Sequence, residues 1–145
     1  MATIKVSIKE EIVINGSDIG SENVFVDSNI AYADRRVMTV NAVGFEPIMR
    51  FSNKVGNGVY ADNSAEYIRI TNLSDSINVY IQILVFAGAT NSAFFVIEPR
   101  GSFILNNNQF DAYDDITSTF SAKNIDSIEA TSASSTADIE YLIVG

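Results

Sequence analysis

The side chains best suited to chemistry in this 145-residue chain are three carboxylates within one short segment, Asp111, Asp114 and Asp115. On a flexible loop they would supply the oxygen ligands that calcium prefers, and their mutual repulsion would fall when the cation bound. The spacing differs from an EF-hand loop, which places a ligand at every second position and a glutamate at its end. A solvated acidic loop is therefore the favoured interpretation, with calcium binding as the alternative, and no cofactor is expected.

Paired carboxylates could also perform glycosidase chemistry, in which one acts as acid and the other as base or nucleophile. The candidates are Glu10, Glu11, Glu98, Glu129 and Glu140. Nothing in their spacing sets two of them on facing walls of a cleft. The chain has no histidine and no cysteine, which excludes Ser-His-Asp and Cys-His nucleophile activation and thiolate metal sites. We predict that the protein is not an enzyme, with an enzyme acting through carboxylates as the remaining alternative.

The one local basic cluster is Arg35-Arg36, preceded by Asp34. Two arginines in a strand-like segment more typically form ion pairs or cover a sheet edge than bind phosphate. The whole chain has 18 acidic and 9 basic residues, a formal net charge of −9. Nucleic acid is therefore not expected as a partner, because affinity for phosphate comes mainly from clustered lysine and arginine.

Aromatic side chains offer a different kind of binding. Most of the nine Phe and six Tyr alternate with Val and Ile at strand spacing, so most are expected in the core. Tyr32, Tyr60 and Tyr113, if exposed, could stack on a sugar ring.

The elements that must position these groups have the pattern of β-strands. Thr3 to Ile8 alternates between apolar and polar residues, with Ile4, Val6 and Ile8 on one face. Asn15-Gly16 and Asn57-Gly58 are typical of tight hairpin turns. No segment carries a 3.6-residue apolar stripe, and no apolar run is long enough to span a membrane. We predict an all-β fold, an antiparallel β-sandwich with jelly-roll or Greek-key connections, as one domain over residues 1–145.

Two further features refine this prediction. Pro99-Arg100-Gly101 indicates a turn in which proline fixes one dihedral angle and glycine supplies the permissive one. The strand from Ile77 to Phe86 is apolar on both faces, which predicts that the core covers one face and another sheet or subunit the other. The interface candidates are Ile4, Val6, Ile8, Tyr80, Leu84 and Phe86.

The C-terminal half resembles small structural proteins of tailed bacteriophages, in particular capsid decoration or cement proteins and related virion β-sandwich modules. The residues that carry the resemblance are the Ile70-Thr71-Asn72 turn, the segment Phe95 to Phe103, and the closing strands Ile125 to Thr131 and Ala137 to Tyr141. The resemblance implies a protein on the outer capsid surface, often a trimer, that braces neighbouring major capsid subunits. It implies no catalytic residues.

The function expected from the sequence is thus that of a non-enzymatic virion structural protein, a capsid decoration or cement protein. Its partners would be two further copies of itself, as a homotrimer, and the major capsid protein, with no membrane involved. It would be made in the host cytoplasm and located on the capsid surface. Residues 1–8 would form a terminal arm or an edge strand that pairs with a capsid strand. The alternative is a carbohydrate-binding β-sandwich module of a phage tail or fibre.

Overall fold

The computed structural model describes residues 2–54, 56–62, 64–86, 90–106, 109–111 and 122–145, and its described elements are all β-strands. In chain order they are β1 (Ala2–Lys9), β2 (Val13–Ile14), β3 (Ser17–Asp18), β4 (Glu22–Ile30), β5 (Ala33–Val40), β6 (Glu46–Phe51), β7 (Val59–Tyr60), β8 (Tyr67–Asn72), β9 (Val79–Phe86), β10 (Thr90–Ile97), β11 (Ser102–Leu105), β12 (Gln109–Asp111), β13 (Ala122–Asn124), β14 (Ser127–Ser132) and β15 (Ala137–Val144). Within these residues no helix is long and apolar enough to cross a membrane.

Two sheets form the body of the molecule. The five-stranded sheet has the order β10-β9-β14-β6-β7, and the four-stranded sheet has the order β11-β8-β15-β5. All their ladders are antiparallel except the short β6–β7 pair. The two-residue β7 is left out, and the other eight strands of these sheets are counted from one to eight along the chain. The neighbouring strands are then 1-8-3-6 across the four-stranded sheet, read from β5, and 2-7-4-5 across the other, read from β6. This is the order of a jelly roll, so the predicted all-β sandwich is confirmed.

The core lies between the two sheets, because alternate residues of each strand point inward. From β9 these are Val79, Ile81, Ile83 and Val85, and all four are buried, as the sequence pattern predicted for this face. From β15 the inward residues are Ile139, Tyr141 and Ile143, which are buried as completely. Each such side chain contributes roughly 1.5–3 kcal/mol relative to an exposed one, so this alternation is the main source of stability.

Residues 2–30 form a separate antiparallel ribbon of β1 and β4, which we call the N-terminal ribbon. Its far end, the ribbon tip (residues 10–21), contains the β2–β3 hairpin, closed by Asn15 and Gly16 with φ of 51° and 80°. β1 is paired with β4 from Ala2 to Lys9, and whether this segment also pairs with a capsid strand stays a prediction.

The turns follow the sequence pattern with one exception. Gly58 has φ of 71° in the turn that Asn57-Gly58 predicted. In the turn closed by the Gly101 N–H and the Glu98 carbonyl (2.9 Å), the positive φ of 64° belongs to Arg100, so the assignment to glycine was wrong. Proline takes the second position of this turn, and the third position is the one that needs positive φ. The Arg100 side chain is paired with Asp75.

Pro47, which lies on β6, coincides with an irregularity in the sheet. The register between β14 and β6 shifts where Ile128 pairs with Met49 and Glu129 pairs with Pro47. Proline cannot donate to a ladder, and a bulge accommodates the missing hydrogen bond. The shift leaves Ile48 and Met49 both buried.

Candidate functional site

The acidic cluster lies largely outside the described residues. β12 ends at Asp111, but its side chain, together with Tyr113, Asp114 and Asp115, is not among the groups that the structure describes. Calcium binding at these positions therefore stays a prediction. In the described part of the chain, no three carboxylates are grouped as metal ligands.

The candidate glutamates do not meet in a cleft. Glu10 and Glu11 are exposed in the N-terminal ribbon, and Glu98 is exposed beside the β10–β11 turn. Glu129 and Glu140 lie on the outer faces of opposite sheets, since their strand neighbours Ile128 and Ile139 point into the core. These positions do not set two of the five on facing walls of a cleft, as acid–base catalysis on one substrate atom would require.

Glu140 instead holds a cluster of charges on the outer face of the four-stranded sheet. Its carboxylate, with the residue only 8% exposed, accepts from Arg35 Nε at 2.9 Å and also pairs with Arg69. The hydrogen bonds from Arg35 lower the pKa of Glu140, and the charge of Arg69 acts in the same direction, against a smaller opposing effect of burial. The ion pairs expected for Arg35-Arg36 are confirmed, since Arg36 pairs with Asp34.

A second polar network lies between the sheets. The Tyr60 hydroxyl donates to Asp34 Oδ2 at 2.7 Å and lies 3.0 Å from the Tyr141 hydroxyl, while Arg36 Nε donates to the same Asp34 oxygen at 2.8 Å. Tyr60 is only 6% exposed, so its ring is not available to stack on a sugar, as an exposed tyrosine would be. Tyr32 is half-buried and stacks on Tyr60 with ring centroids 6.0 Å apart. Tyr60 belongs to the core between the sheets, and Tyr32 packs against it.

This network forms one side of a cleft of about 410 Å³, which we call the arginine cleft. The residues that line it are Arg36, Val37, Met38, Pro47, Ile48, Arg50, Asn57, Gly58, Val59 and Tyr141. The cleft lies where β5 of one sheet approaches β6 and β7 of the other. Its lining contains two arginines and no carboxylate, in a chain with twice as many acidic as basic residues.

The outer face of the five-stranded sheet carries an apolar surface on β9 and β10, which we call the sheet face. Cross-strand pairing places Val96 opposite Tyr80 and Phe94 beside them, and Phe94 and Val96 are 61% and 56% exposed. The ring of Phe94 also packs against that of Phe45, with the two ring centroids 5.7 Å apart. Two interface candidates, Tyr80 and Leu84, are partly exposed on this face, and the Phe86 side chain is outside the described groups.

The N-terminal ribbon provides a second exposed apolar surface. Ile4 and Val6 are half-buried against the cluster of Ile30, Tyr67 and Val144, so these two interface candidates already have a partner within the chain. Because the ribbon lies on the four-stranded sheet at this point, their side chains cover Tyr67. Farther out, toward and within the ribbon tip, the large apolar residues are exposed: Ile8, Ile12, Val13, Ile14 and Ile19. Val24 and Val26 are exposed as well, on the ribbon face opposite Ile4 and Val6.

Sequence reasoning missed two parts of these surfaces. Phe94 and Val96 were not among the interface candidates, although the unbroken apolar run Phe94-Phe95-Val96-Ile97, which puts apolar residues on both faces of β10, was a usable signal. Arg50 and Asn57 gave no signal that they share a cleft with Arg36, since the three come together only through strand order.

Comparisons with known proteins add one structural similarity. No family model matches the chain, and no curated protein matches it. A solved structure, the crystal structure of PirA, aligns with a TM-score of 0.46 and 14% sequence identity, covering 75% of this chain and 92% of the PirA chain.

Proposed function

We propose that this chain is a non-enzymatic virion structural protein, a capsid decoration or cement protein that binds across neighbouring major capsid subunits. The observation that carries the proposal is the apolar ribbon tip, where Val13, Ile14 and Ile19 are more than half exposed. A single exposed apolar residue is ordinary, but a contiguous group on a projecting element is typical of a protein interaction site.

The ribbon has the geometry for such a contact. It is a two-stranded element, so β1 and β4 each have one edge whose backbone groups can pair with a strand of another protein. Val24 and Val26 face away from Ile4 and Val6 and would be covered by the same partner. Binding specific for the assembled capsid stabilises that state by mass action, without any chemical step.

The sheet face supports the second part of the proposal, association into a homotrimer. Tyr80, Phe94 and Val96 form an apolar surface on β9 and the edge strand β10. Aromatic residues are enriched at such interfaces because they bury large areas with little loss of conformational entropy. The alternative function is a carbohydrate-binding module of a tail or fibre. It is weakened because Tyr60, one of the tyrosines expected to stack on a sugar, is buried.

Self-association is tested by the native mass from light scattering at several concentrations, with and without a chelator. We expect a chelator-resistant trimer for the wild type and a monomer for Phe94→Asp, since a charge in an apolar interface remains unpaired. Val43→Asp is the control for the added charge, because Val43 is 93% exposed on the β5–β6 loop and belongs to neither the sheet face nor the ribbon tip.

Capsid binding is tested by co-sedimentation with capsids assembled from the major capsid protein encoded by the same genome. We expect the wild type and Val43→Asp to bind at a fixed number of copies per capsid, and Val13→Asp to bind at least tenfold more weakly. Absence of wild-type binding at saturating protein would overturn the proposal. A glycan array, with and without calcium, tests the alternative directly.

A further inference from the structure

The arginine cleft is not used by the proposed function, and its charges are arranged differently from those elsewhere in the chain. Arg35, Arg36, Arg69 and Arg100 each form an ion pair with a carboxylate. In the described part of the chain, Arg50 is the arginine without one. It lies exposed on β6, at the rim of the cleft that Arg36 enters from β5.

Hydrogen bonds to other residues of the chain fix the guanidinium of Arg36. Its Nε donates to Asp34, and one of its terminal nitrogens donates to Asn57 Oδ1. Asp34 can only accept, so the Tyr60 hydroxyl donates to it and the Tyr141 hydroxyl donates in turn to Tyr60. Burial is the main cause that raises the pKa of Tyr60, followed by the hydrogen bonds with Tyr141 and Asp34. The Tyr60 hydroxyl therefore keeps its proton, and its hydrogen bond to Asp34, at ordinary pH. A guanidinium fixed in this way loses little entropy when it binds a ligand.

The charge count of the cleft favours a monoanion. Asp34 compensates Arg36, which leaves the single positive charge of Arg50. A carboxylate would neutralise that charge while receiving hydrogen bonds from planar donors that match its geometry. A phosphate dianion would leave excess negative charge in a protein that already carries −9.

The walls indicate what the carboxylate is attached to. Met38, Pro47, Ile48 and Val59 present apolar groups around the arginines. A volume of about 410 Å³ lies within the usual range for small-molecule sites. We propose that the arginine cleft binds a small monocarboxylate with a compact apolar body, its carboxylate held by Arg50 and Arg36 and its body by the apolar wall.

Phenylacetate is a suitable probe, and phenylacetamide is its neutral counterpart of nearly the same shape. In a titration of the full-length, isotope-labelled protein followed by two-dimensional NMR, we expect saturable shifts at the amides of Val37, Gly58 and Val59. Phenylacetamide and inorganic phosphate should each bind at least about tenfold more weakly, as expected for the loss of one charge-assisted hydrogen bond or of the apolar contact.

Arg50→Met should weaken phenylacetate binding about tenfold without altering the unfolding midpoint, since the Arg50 side chain is exposed and forms no ion pair within the described residues. Arg100→Met, an exposed arginine far from the cleft, should leave the affinity unchanged. The proposal is overturned if phenylacetate causes no saturable shifts at the cleft, if phenylacetamide binds equally well, or if phosphate binds as tightly as phenylacetate. Unchanged affinity of Arg50→Met would overturn it as well. Because capsid binding is not measured, these outcomes are separate from those of the decoration proposal.

Discussion

At the scale of single residues, Asn72 shows how one polar side chain joins three segments of the chain. It is fully buried, and its Nδ2 donates to the carbonyls of Ile77 at 2.7 Å and Ile97 at 3.1 Å. Its Oδ1 accepts from the Ser74 amide at 3.0 Å. The amide group therefore links the end of β8 to the segments that begin β9 and end β10.

Replacing Asn72 by aspartate should be strongly destabilising. The shape is nearly preserved, but a carboxylate oxygen would then face carbonyl oxygens, with no donor and with a buried charge. We expect a loss of about 3 kcal/mol or more in the free energy of unfolding, measured by urea denaturation. Asn53→Asp, the same change at an exposed loop position, should stay within about 0.5 kcal/mol of wild type. A small effect of Asn72→Asp would mean that the buried amide contacts contribute little.

Glu140 should make stability depend on pH in the acid range. Its pKa is lowered in the folded state, so its contribution is fully present above the unfolded pKa of about 4.3 and is lost as the pH falls through the lower, folded value. Glu140→Gln should cost about 1.5 kcal/mol at pH 7, the value of a hydrogen bond to a charged group. The difference between the two proteins should shrink as the pH falls below about 4.3, in denaturation curves recorded from pH 7 to pH 3. A difference that does not depend on pH would contradict the assignment.

At the scale of elements, the Gly56–Gly58 turn contains a matched pair of glycines. Gly58 has φ of 71°, whereas Gly56 is not among the residues with positive φ, and an added Cβ would meet no atom within 4 Å at either position. Gly58→Ala should therefore cost about 1 kcal/mol through backbone strain alone. Gly56→Ala should be neutral or stabilising by about 0.5 kcal/mol, because it restricts the unfolded chain. Equal thermal unfolding midpoints for the two variants would contradict this explanation.

Elements were the part of the structure most accessible from the sequence, because strand alternation and turn residues are local signals. The buried face of β9 and the Asn15-Gly16 and Asn57-Gly58 turns follow directly from such signals. The partner of β1 does not, since pairing with β4 depends on a ladder between segments about 20 residues apart. For the same reason the burial of Tyr60 and the assembly of the arginine cleft were not predictable: β5, β6 and β7 contribute to it from two sheets.

At the scale of the whole molecule, the jelly roll separates a stable body from the surfaces proposed to bind. The sandwich core is continuous between the two sheets, whereas the N-terminal ribbon packs on it through Ile4, Val6 and Ile30. The ribbon tip is exposed at every position except Gly20, which is half-buried. Stability and assembly should therefore be separable by mutation, although composition alone gave no indication of this division.

Removal of the ribbon tip tests that separation. Lys9 pairs directly with Glu22, so residues 10–21 can be replaced by an Asn-Gly turn that closes the same two strands. The contacts of Ile4 and Val6 remain, so we expect the free energy of unfolding to fall by only about 0.5 kcal/mol. The thermal unfolding midpoint should then change by only a few degrees. Co-sedimentation with capsids should fall at least tenfold, because the exposed Val13, Ile14 and Ile19 are gone. The sheet face is intact in this variant, so light scattering should still give the mass of a trimer. If the shortened protein binds capsids as tightly as wild type, the ribbon tip is not the capsid contact, and the exposed edges of β1 and β4 become the part of the ribbon to test.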